Sequence, residues 1–433
     1  MKTAVESFGA APLRLKAATH LRWLIVIVPF LMWFFGTGEK LNVGVAIANR
    51  AFLQEMGLVN HNAALGGLTS WLLIGYGVSA LPWGFVIEKI GARSAAVIAT
   101  LLGGIAMVSF GVATSLGVLY ASRFILGLAE GILHPLSNAL VARWFPFEER
   151  GRATGVWWCA TGVGSALLTP AFAALVVSYG WRSSFIGYGL GVTVVLLPLI
   201  LVLVRDDPAR QRWMNRREID WIEAGQAVPP AVQRQIDATN TATTNGIWRS
   251  PMFWVNGLCN LANSQIHWGL LTWGIAYLVT VRHISLLHSG LFIGFGFCLS
   301  IFLTLSIGYG SDWIRRRAPF GMALYTLIFI ALLVALVASS AVISAVALAI
   351  AIGATQSGGS VYQTMLHSFL PPESIARGTG MQAFTINVLA AASPFIVGVV
   401  IGTHGNWTAG FIWLLIWPII AFGTMVQCAR WHL

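Results

Sequence analysis

Long runs of apolar residues, separated by short polar segments, follow one another along the chain. An α-helix needs about 20 mostly apolar residues to cross the hydrocarbon core of a bilayer. Twelve runs reach that length, with approximate limits 24–48, 66–88, 94–114, 116–142, 154–177, 185–204, 253–281, 288–311, 318–339, 341–367, 378–402 and 408–429. The first run leads into Glu39, Lys40 and Asn42 and not into a small-residue cleavage site, so we expect it to remain in the mature protein. The pattern predicts an all-α integral membrane protein with twelve transmembrane helices.

The composition excludes an ordinary soluble protein. Hydrophobic residues make up 57% of the chain and charged residues only 9%, which leaves too little polar surface for a fold in water. The four cysteines lie in or at the end of apolar runs, without CxxC spacing and without a neighbouring histidine cluster. We therefore expect no disulfide, no bound metal and no cofactor.

The net charge of +11 reflects where the basic residues lie. If the N-terminus is inside, 21 of the 26 lysines and arginines fall in loops on that side, and the opposite side has only Arg50, Arg182 and Arg282. Loops that are rich in lysine and arginine stay in the cytoplasm. The distribution predicts that both termini are cytoplasmic and that the charge is no nucleic-acid-binding surface. The expected location is the inner (plasma) membrane of a prokaryote.

A polar stretch divides the apolar runs into two groups of six. It predicts an N-terminal half of residues 1–204, a cytoplasmic linker of residues 205–250 and a C-terminal half of residues 251–433. Residues 210–222 of the linker mix arginines with large apolar side chains, as does a helix that lies along the inner membrane surface. A solvated connector without a further role is the alternative.

The two halves resemble each other at an offset of roughly 224 to 226 residues. Gly84 and Glu88, after the second run, match Gly308 and Asp312, after the eighth. Further matches follow in the same order: Pro146 with Pro371, Glu148 with Glu373, and Arg152 with Arg377. Two parallel six-helix halves around a site in the middle of the membrane are typical of a secondary transporter.

The segments GFVIEKIGAR and GYGSDWIRRR resemble the cytoplasmic loop signature of the major facilitator superfamily. The first has Glu in place of the usual Asp, and the second lacks the second Gly. The resemblance covers the whole chain and implies that superfamily's fold, with a conformational latch on the cytoplasmic face. Glycines would let the helices approach closely, and the acidic residues would pair with arginines or helix N-termini; anchoring of helix ends is the alternative. The matching latch residues are Gly84, Glu88, Arg93, Gly308 and Asp312.

A second resemblance is narrower. The segments GEKLNVGVA, RFILGLAEGILHP, RWFPFEERGRATG and GWRSSF are similar to those of the anion:cation symporter branch of the superfamily. This branch includes bacterial galactonate, hexuronate and phthalate permeases and the animal sialin and vesicular glutamate transporters. The resemblance implies proton symport of a small organic anion such as a carboxylate.

Four ionisable residues lie inside apolar runs: Glu39 and Lys40 in the first, and Arg123 and Glu130 in the fourth. A charge in hydrocarbon costs roughly 2.5–3.5 kcal/mol, so such residues usually face a polar cavity. Arg123 and Glu130 share one helix face with His134, and we expect all three to face one cavity. The resemblance implies that Glu130 carries a proton and that Arg123 is its partner. Protonation of Glu130 would release Arg123, and we expect Arg123 and His134 to bind substrate. A salt bridge that never titrates is the alternative.

Glu39 and Lys40 are adjacent and therefore point about 100° apart on a helix, so each needs a partner on another helix. The branch has Asp-Arg here, which implies that Glu39 contributes to proton coupling and that Lys40 holds the substrate anion. Lysine lacks the bidentate fork of arginine, so we expect a less directional grip. A buried lysine can also titrate. An ion-paired helix anchor is the alternative.

Other polar residues of the runs are weaker candidates. By resemblance, Tyr76, Asn387 and Ser393 line the substrate cavity, and Thr161 stands where sugar-acid transporters have glutamine. Several aromatic residues can form part of the cavity wall, although packing or an interfacial position is the commoner role. The seventh run contains five polar residues that either line the cavity or bond neighbouring helices: Asn256, Asn260, Asn263, Gln265 and His267.

These observations predict a monomeric, proton-coupled symporter that imports a small organic anion by alternating access, with protons as the coupling ion. An exporter or drug antiporter on the same scaffold is the alternative, because the fold does not set the direction. A channel or receptor is disfavoured by the two-half repeat and by the lack of a large soluble domain. The sequence has no metal-ligand cluster, GxSxG motif or nucleotide-binding loop that would indicate an enzyme.

Overall fold

Helices make up nearly all of the chain that the structure, a computed structural model, describes: residues 19–226, 250–314, 316–369, 382 and 384–431. No strand occurs within those ranges. The helices are α1 Ile27–Ile47, α2 Arg50–Glu55, α3 Asn62–Ile90, α4 Ala92–Gly111, α5 Leu116–Glu130, α6 Leu133–Trp144, α7 Arg150–Leu203, α8 Arg216–Ala224, α9 Pro251–Thr280, α10 Leu286–Ile314, α11 Ala318–Val337, α12 Ala341–Phe369, α13 Ala392–His404 and α14 Trp407–Arg430.

Twelve membrane spans can be counted in the described residues. Ten helical segments are long and apolar enough to cross a membrane. One of them, Phe147–Leu203, contains two spans, because Gly180 has φ 77° and ψ 163° and breaks the helix there. The helix α9, with 30 residues, is the remaining span and is too polar to be among those ten. The predicted all-α fold with two sets of six spans is confirmed.

Polar side chains begin several of these helices. Asn49 accepts a hydrogen bond from the backbone N–H of Phe52, and Asn406 accepts one from Thr408. Such caps satisfy amide groups that have no partner inside the helix. The fourth span is interrupted between α5 and α6, directly after Glu130. This break lies beside the charged residues that the sequence singled out.

The main contacts between the two halves join three pairs of long helices: α1 with α9, α3 with α13, and α7 with α10. The close contacts lie towards the membrane side opposite the linker. A Cβ at Gly66 would collide with the carbonyl oxygen of Pro394, and one at Gly44 would lie 2.6 Å from that of Leu271. The hydroxyl of Ser70 donates to the carbonyl of Ala391 at 2.6 Å. This side of the molecule is therefore closed.

At Gly84 and Gly308, on the linker side, the described residues make no close helix approach in this conformation. A Cβ at either glycine would have no described atom within 4 Å, because the contacts between the halves lie on the other side. Glu88 is exposed, and Arg93 donates to the carbonyl of Leu201 at 2.7 Å. The side chain of Asp312 lies outside the described residues, and so do residues 227–249 of the linker. The latch stays a prediction.

An acidic residue directly after the sixth span, Asp206, caps α4. The carboxylate of Asp206 accepts a hydrogen bond from the N–H of Ala92 and is 3.2 Å from Nη1 of Arg143. An acid at a helix N-terminus is favoured by the helix dipole. The acidic latch residues Glu88 and Asp312 were expected to pair with arginines or helix N-termini. In this structure Asp206 makes such a contact within the N-terminal half.

The amphipathic linker helix is α8, and it packs on the protein. Ile219 and Ile222 are buried, and Glu218 is 0% exposed. The carboxylate of Glu218 is 2.9 Å from Nη1 of Arg22, whose other nitrogens bind Glu149 at 2.8 and 2.9 Å. An ionic cluster therefore holds α8 against the start of the first span.

Candidate functional site

A central cavity of about 260 Å³ lies between the two halves. Helices from both halves contribute to its wall, as expected for a transporter site at the repeat interface. Its main polar and aromatic lining residues are Trp33, Lys40, Tyr76, His134, Trp158, Thr161, Asn260, Asn263, His267, Trp268, Gln356, Tyr362 and Asn387. Lys40 is the only lysine, arginine, aspartate or glutamate among the described lining residues.

Aromatic rings form the corner of the cavity around Lys40. Its ammonium lies 5.2 Å from the ring centre of Trp33 and 5.1 Å from that of Tyr76. Trp33 also stacks on Trp157 at 5.5 Å and meets His134 edge-on at 4.6 Å. Cations are attracted to aromatic faces within about 6 Å. These rings therefore fix the ammonium at the cavity wall.

Lys40 pairs with Glu130, across the interface of α1 and α5. The distance from Nζ to Oε2 is 2.7 Å, and the two side chains are 12% and 4% exposed. The sequence had suggested that Glu130 would pair with Arg123 on its own helix. The structure differs because the Lys40 side chain reaches from α1 to Glu130, whereas the Arg123 side chain extends to α1 at another level.

Arg123 is held by polar atoms of α1. Its Nη1 donates to the carbonyl oxygen of Glu39 at 3.0 Å, and its Nη2 donates to Oδ1 of Asn42 at 2.9 Å. The side chain is 1% exposed and lies over the ring of Phe110. Arg123 is not among the described residues that line the central cavity. In this conformation, then, its position suits a clamp on α1 better than a substrate ligand.

Glu39 lies behind the central cavity. It lines a second, small cavity of about 30 Å³ inside the N-terminal half, together with Thr100, Gly103 and Glu130. A Cβ at Gly103 would lie 3.7 Å from Oε2 of Glu39, an ordinary van der Waals distance, so the backbone of α4 passes directly beside this carboxylate. Glu130 therefore connects the two cavities, because its partner Lys40 lines the central cavity and Glu130 itself lines the small cavity.

The polar residues of the seventh span divide between two roles. Asn260, Asn263 and His267 line the central cavity. Asn256 donates to the carbonyl of Tyr362 at 2.9 Å, and Gln265 donates to that of Leu389 at 2.9 Å. Cavity lining and interhelical bonding, which the sequence could not separate, therefore both occur.

The other predicted cavity residues are placed as follows. Tyr76, His134, Thr161 and Asn387 line the central cavity. Ser393 is fully buried, and its hydroxyl donates to the carbonyl of Gln265 at 2.6 Å. Ser393 thus joins two helices and is not part of the described cavity wall.

Two residues at the site were not among those predicted from the sequence. Asn42 binds Arg123, and its signal was a polar residue one turn after Glu39 in an apolar run. Thr100 lines the small cavity, but a threonine in an apolar helix is too common to attract notice. Across the residues that the structure describes, no group of three or more potential metal ligands occurs.

The family model described as Major Facilitator Superfamily matches residues 23–394. The chain belongs to the major facilitator superfamily. The resemblance predicted from the two loop signatures is confirmed. A member of this superfamily is a transporter and not an enzyme, and this one is a multi-pass membrane protein.

Relatives of this major facilitator superfamily member include named transporters. It is 27% identical over 305 residues to the probable sulfoacetate transporter of Cupriavidus necator, covering 70% of this chain and 68% of the relative. It is 22% identical over 437 aligned residues to the probable galactarate/D-glucarate transporter of Escherichia coli K12, covering 96% and 95%. A crystal structure of a bacterial homologue of the human lysosomal transporter Spinster matches with a TM-score of 0.75 at 15% identity, covering 98% of each chain. At that identity, the likeness shows the shared fold.

Proposed function

We propose that this chain is a proton-coupled symporter that imports a small organic anion by alternating access. The observation that carries the proposal is the ion pair of Lys40 and Glu130, in which the lysine lines the central cavity and the acid lies behind it. An anion entering the cavity meets an ammonium whose charge is already balanced by a carboxylate. The substrate anion and the Glu130 carboxylate therefore compete for the same lysine, and a proton on Glu130 favours the substrate.

Protonation of Glu130 is the proposed coupling step. A neutral carboxyl group no longer balances Lys40, so the ammonium becomes available to a substrate anion. Loss of the proton restores the pair and expels the anion. A ligand shifts the equilibrium between the outward-facing and inward-facing states only through its different affinities for them. The proton and the anion bound together must therefore favour the change of the transporter from one state to the other.

The chemistry of the wall supports an organic anion as the substrate. The names of the two relatives describe transporters of sulfoacetate and of galactarate or D-glucarate, all of them small organic acids. Here the cavity offers one ammonium, aromatic rings and several amide and hydroxyl groups. We assign anion binding to Lys40, orientation to Tyr76, His134, Thr161 and Asn387, and proton coupling to Glu130 and Glu39.

The positions of two residues change their proposed roles. Arg123, expected to bind substrate, is assigned to holding α1, and Ser393 is assigned to joining two helices. We further propose a monomer in a prokaryotic inner membrane with both termini in the cytoplasm, as the placement of basic residues indicates. The closed side would then face outward and the linker side inward.

Transport by purified protein in proteoliposomes tests the coupling. Glu130→Gln should keep counterflow exchange, which needs no net proton movement, but lose accumulation driven by a pH gradient. Glu55→Gln, which changes a carboxylate paired with Arg182 on the surface, should behave as wild type. Unchanged accumulation by Glu130→Gln would refute the proton role.

A screen for the substrate must come first. Thermal shifts of the purified protein with panels of carboxylates, sulfonates and aromatic acids would identify the class, and the dependence of the shift on Lys40 would show that the central cavity binds it. Flux measured in vesicles of known orientation then separates an importer from an exporter. Movement of the anion in the direction opposite to the proton flow would indicate an antiporter.

A further inference from the structure

The small cavity of about 30 Å³ brings three oxygen-bearing side chains together from three helices: Glu39 of α1, Thr100 of α4 and Glu130 of α5. A buried cavity needs roughly 10–15 Å³ of such volume to hold one water, and the water needs at least two polar partners. This cavity meets both conditions. Its other described lining residues are apolar or glycine: Met32, Gly36, Ala99, Gly103, Ala129, Ile132, Leu133, Val192 and Leu196.

Two polar atoms at this cavity lack partners among the described residues. The hydroxyl of Thr100 makes no hydrogen bond, although the residue is only 8% exposed, and Oε1 of Glu130 makes none either. A threonine in a helix commonly satisfies its hydroxyl on the carbonyl one turn back, as Thr169 does with Ser165. Buried polar groups are rarely left unpaired. Both atoms therefore indicate a bound molecule that accepts and donates hydrogen bonds.

We propose that this cavity binds a water molecule that relays protons between Glu39 and Glu130, and that Thr100 positions this water. This inference rests on the proposed function, because it supplies the route by which Glu130 exchanges its proton. The relay uses a space that is separate from the substrate cavity. Thr100 is a positioning residue and does not itself titrate.

The transfer conserves atoms and charge. The carboxyl group of Glu39 gives its proton to the water oxygen while the same water gives another of its protons to the carboxylate of Glu130. Glu39 ends as the carboxylate, Glu130 as the neutral acid and the water unchanged. The hydroxyl of Thr100 can donate to the water oxygen before the transfer and accept from it afterwards, so it holds the water in both states.

The charges around the cavity favour water over a metal cation. Two carboxylates face two cations, Lys40 at 2.7 Å from Glu130 and Arg123 on the backbone of Glu39. The cluster is therefore close to neutral without a further cation. Sodium or calcium would also seek six or so oxygen ligands, more than three side chains supply. The titratable or charged groups that pack around the two acids are Lys40 on α1, Tyr76 on α3, Arg123 on α5, His134 on α6 and Tyr188 on α7.

Thr100→Val tests the relay, because valine keeps the shape of threonine and removes the hydroxyl. The readouts are proton influx, followed by a pH-sensitive dye inside proteoliposomes, and counterflow exchange of substrate. Losing one hydrogen bond to the water should slow proton-driven uptake roughly three- to tenfold and leave counterflow unchanged. Thr100→Ser, which restores the hydroxyl, should recover the wild-type rate. Thr424→Val, at a buried threonine whose hydroxyl bonds Ala421, is the matched control.

Each other outcome overturns the relay. Equal proton influx in wild type, Thr100→Val and Thr100→Ser would show that the hydroxyl is not needed. An equal loss of counterflow and uptake would indicate a structural role. Stimulation of wild-type uptake by sodium at constant pH would assign the cavity to a cation. If the wild type itself shows no proton-driven accumulation, the proposed function fails first, and the relay fails with it.

Discussion

Lys40 and Glu130 form an ion pair that connects the central cavity with the interior of the N-terminal half, their charged atoms 2.7 Å apart. The pair is nearly buried, so neither charge has enough water to stabilise it alone. Removing one member of a buried pair is costly, whereas replacing both by neutral groups often is not. This asymmetry lets stability and binding be separated experimentally.

We expect Lys40→Met to lose substrate binding and to destabilise the protein, because Glu130 is left as an unpaired buried carboxylate. Such a loss costs about 3–5 kcal/mol in buried pairs. The double variant Lys40→Met/Glu130→Gln should regain most of the stability and still not bind substrate. Thermal unfolding and equilibrium binding of the purified variants provide the two measurements. A double variant no more stable than Lys40→Met would show that the two residues do not depend on each other.

Gly66 allows the closed side of the molecule to form, because any Cβ there would strike the backbone of Pro394. Gly66→Val should disfavour this conformation. Overpacking costs about 1–3 kcal/mol, and such an energy shifts a two-state population by roughly five- to 150-fold. Spin labels at Val59 and His288, in a variant without the native cysteines, should report a longer distance across the closed side.

The control for this prediction is Gly117→Val, since a Cβ at Gly117 has no described neighbour within 4 Å and the residue lies outside the predicted latch. It should leave the spin-label distance at its wild-type value. An unchanged distance in Gly66→Val would mean that α3 and α13 can separate locally without opening the closed side.

Arg123 should be more important for stability than for substrate affinity. Arg123→Lys keeps the charge but loses the fork that binds both the Glu39 carbonyl and Asn42. Hydrogen bonds of charged groups contribute about 1.5–3 kcal/mol, so we expect a clearly lower unfolding temperature with a nearly unchanged Kd. Arg210→Lys, at an exposed arginine beside Asp207, should change neither. A tenfold weaker Kd at unchanged stability would return Arg123 to the substrate site.

The sequence predicted the spans, the two halves and the family because each depends on a signal that repeats or persists over many residues. It could not predict that Lys40, and not Arg123, pairs with Glu130. Helical periodicity places Arg123 and Glu130 on one face, but the pairing depends on how α1 and α5 are rotated and spaced. The same limit applies to Ser393 and Gln265, which occupy polar positions like those of the cavity residues. Their side chains instead donate to backbone carbonyls of neighbouring helices, those of Gln265 and Leu389 respectively.

The ionic cluster on the linker side should hold α8 on the N-terminal half. Glu218 receives hydrogen bonds from the backbone N–H and the guanidinium of Arg22 and from the hydroxyl of Thr19. Glu218→Ala removes these contacts and leaves the buried Arg22 with Glu149 and the carbonyl oxygen of Thr19 as its described partners. We expect faster hydrogen exchange and earlier proteolysis in residues 216–224, with the transmembrane helices protected as before.

Glu223→Ala is the matched control, because Glu223 lies on the exposed side of the same helix and its loss changes the charge of α8 equally. It should leave exchange in α8 unaltered. If both variants accelerated exchange to the same extent, the helix charge or propensity would be responsible and the cluster would not. A difference confined to Glu218→Ala would show that the contact with Arg22 joins the linker to the first span, because only that variant breaks it.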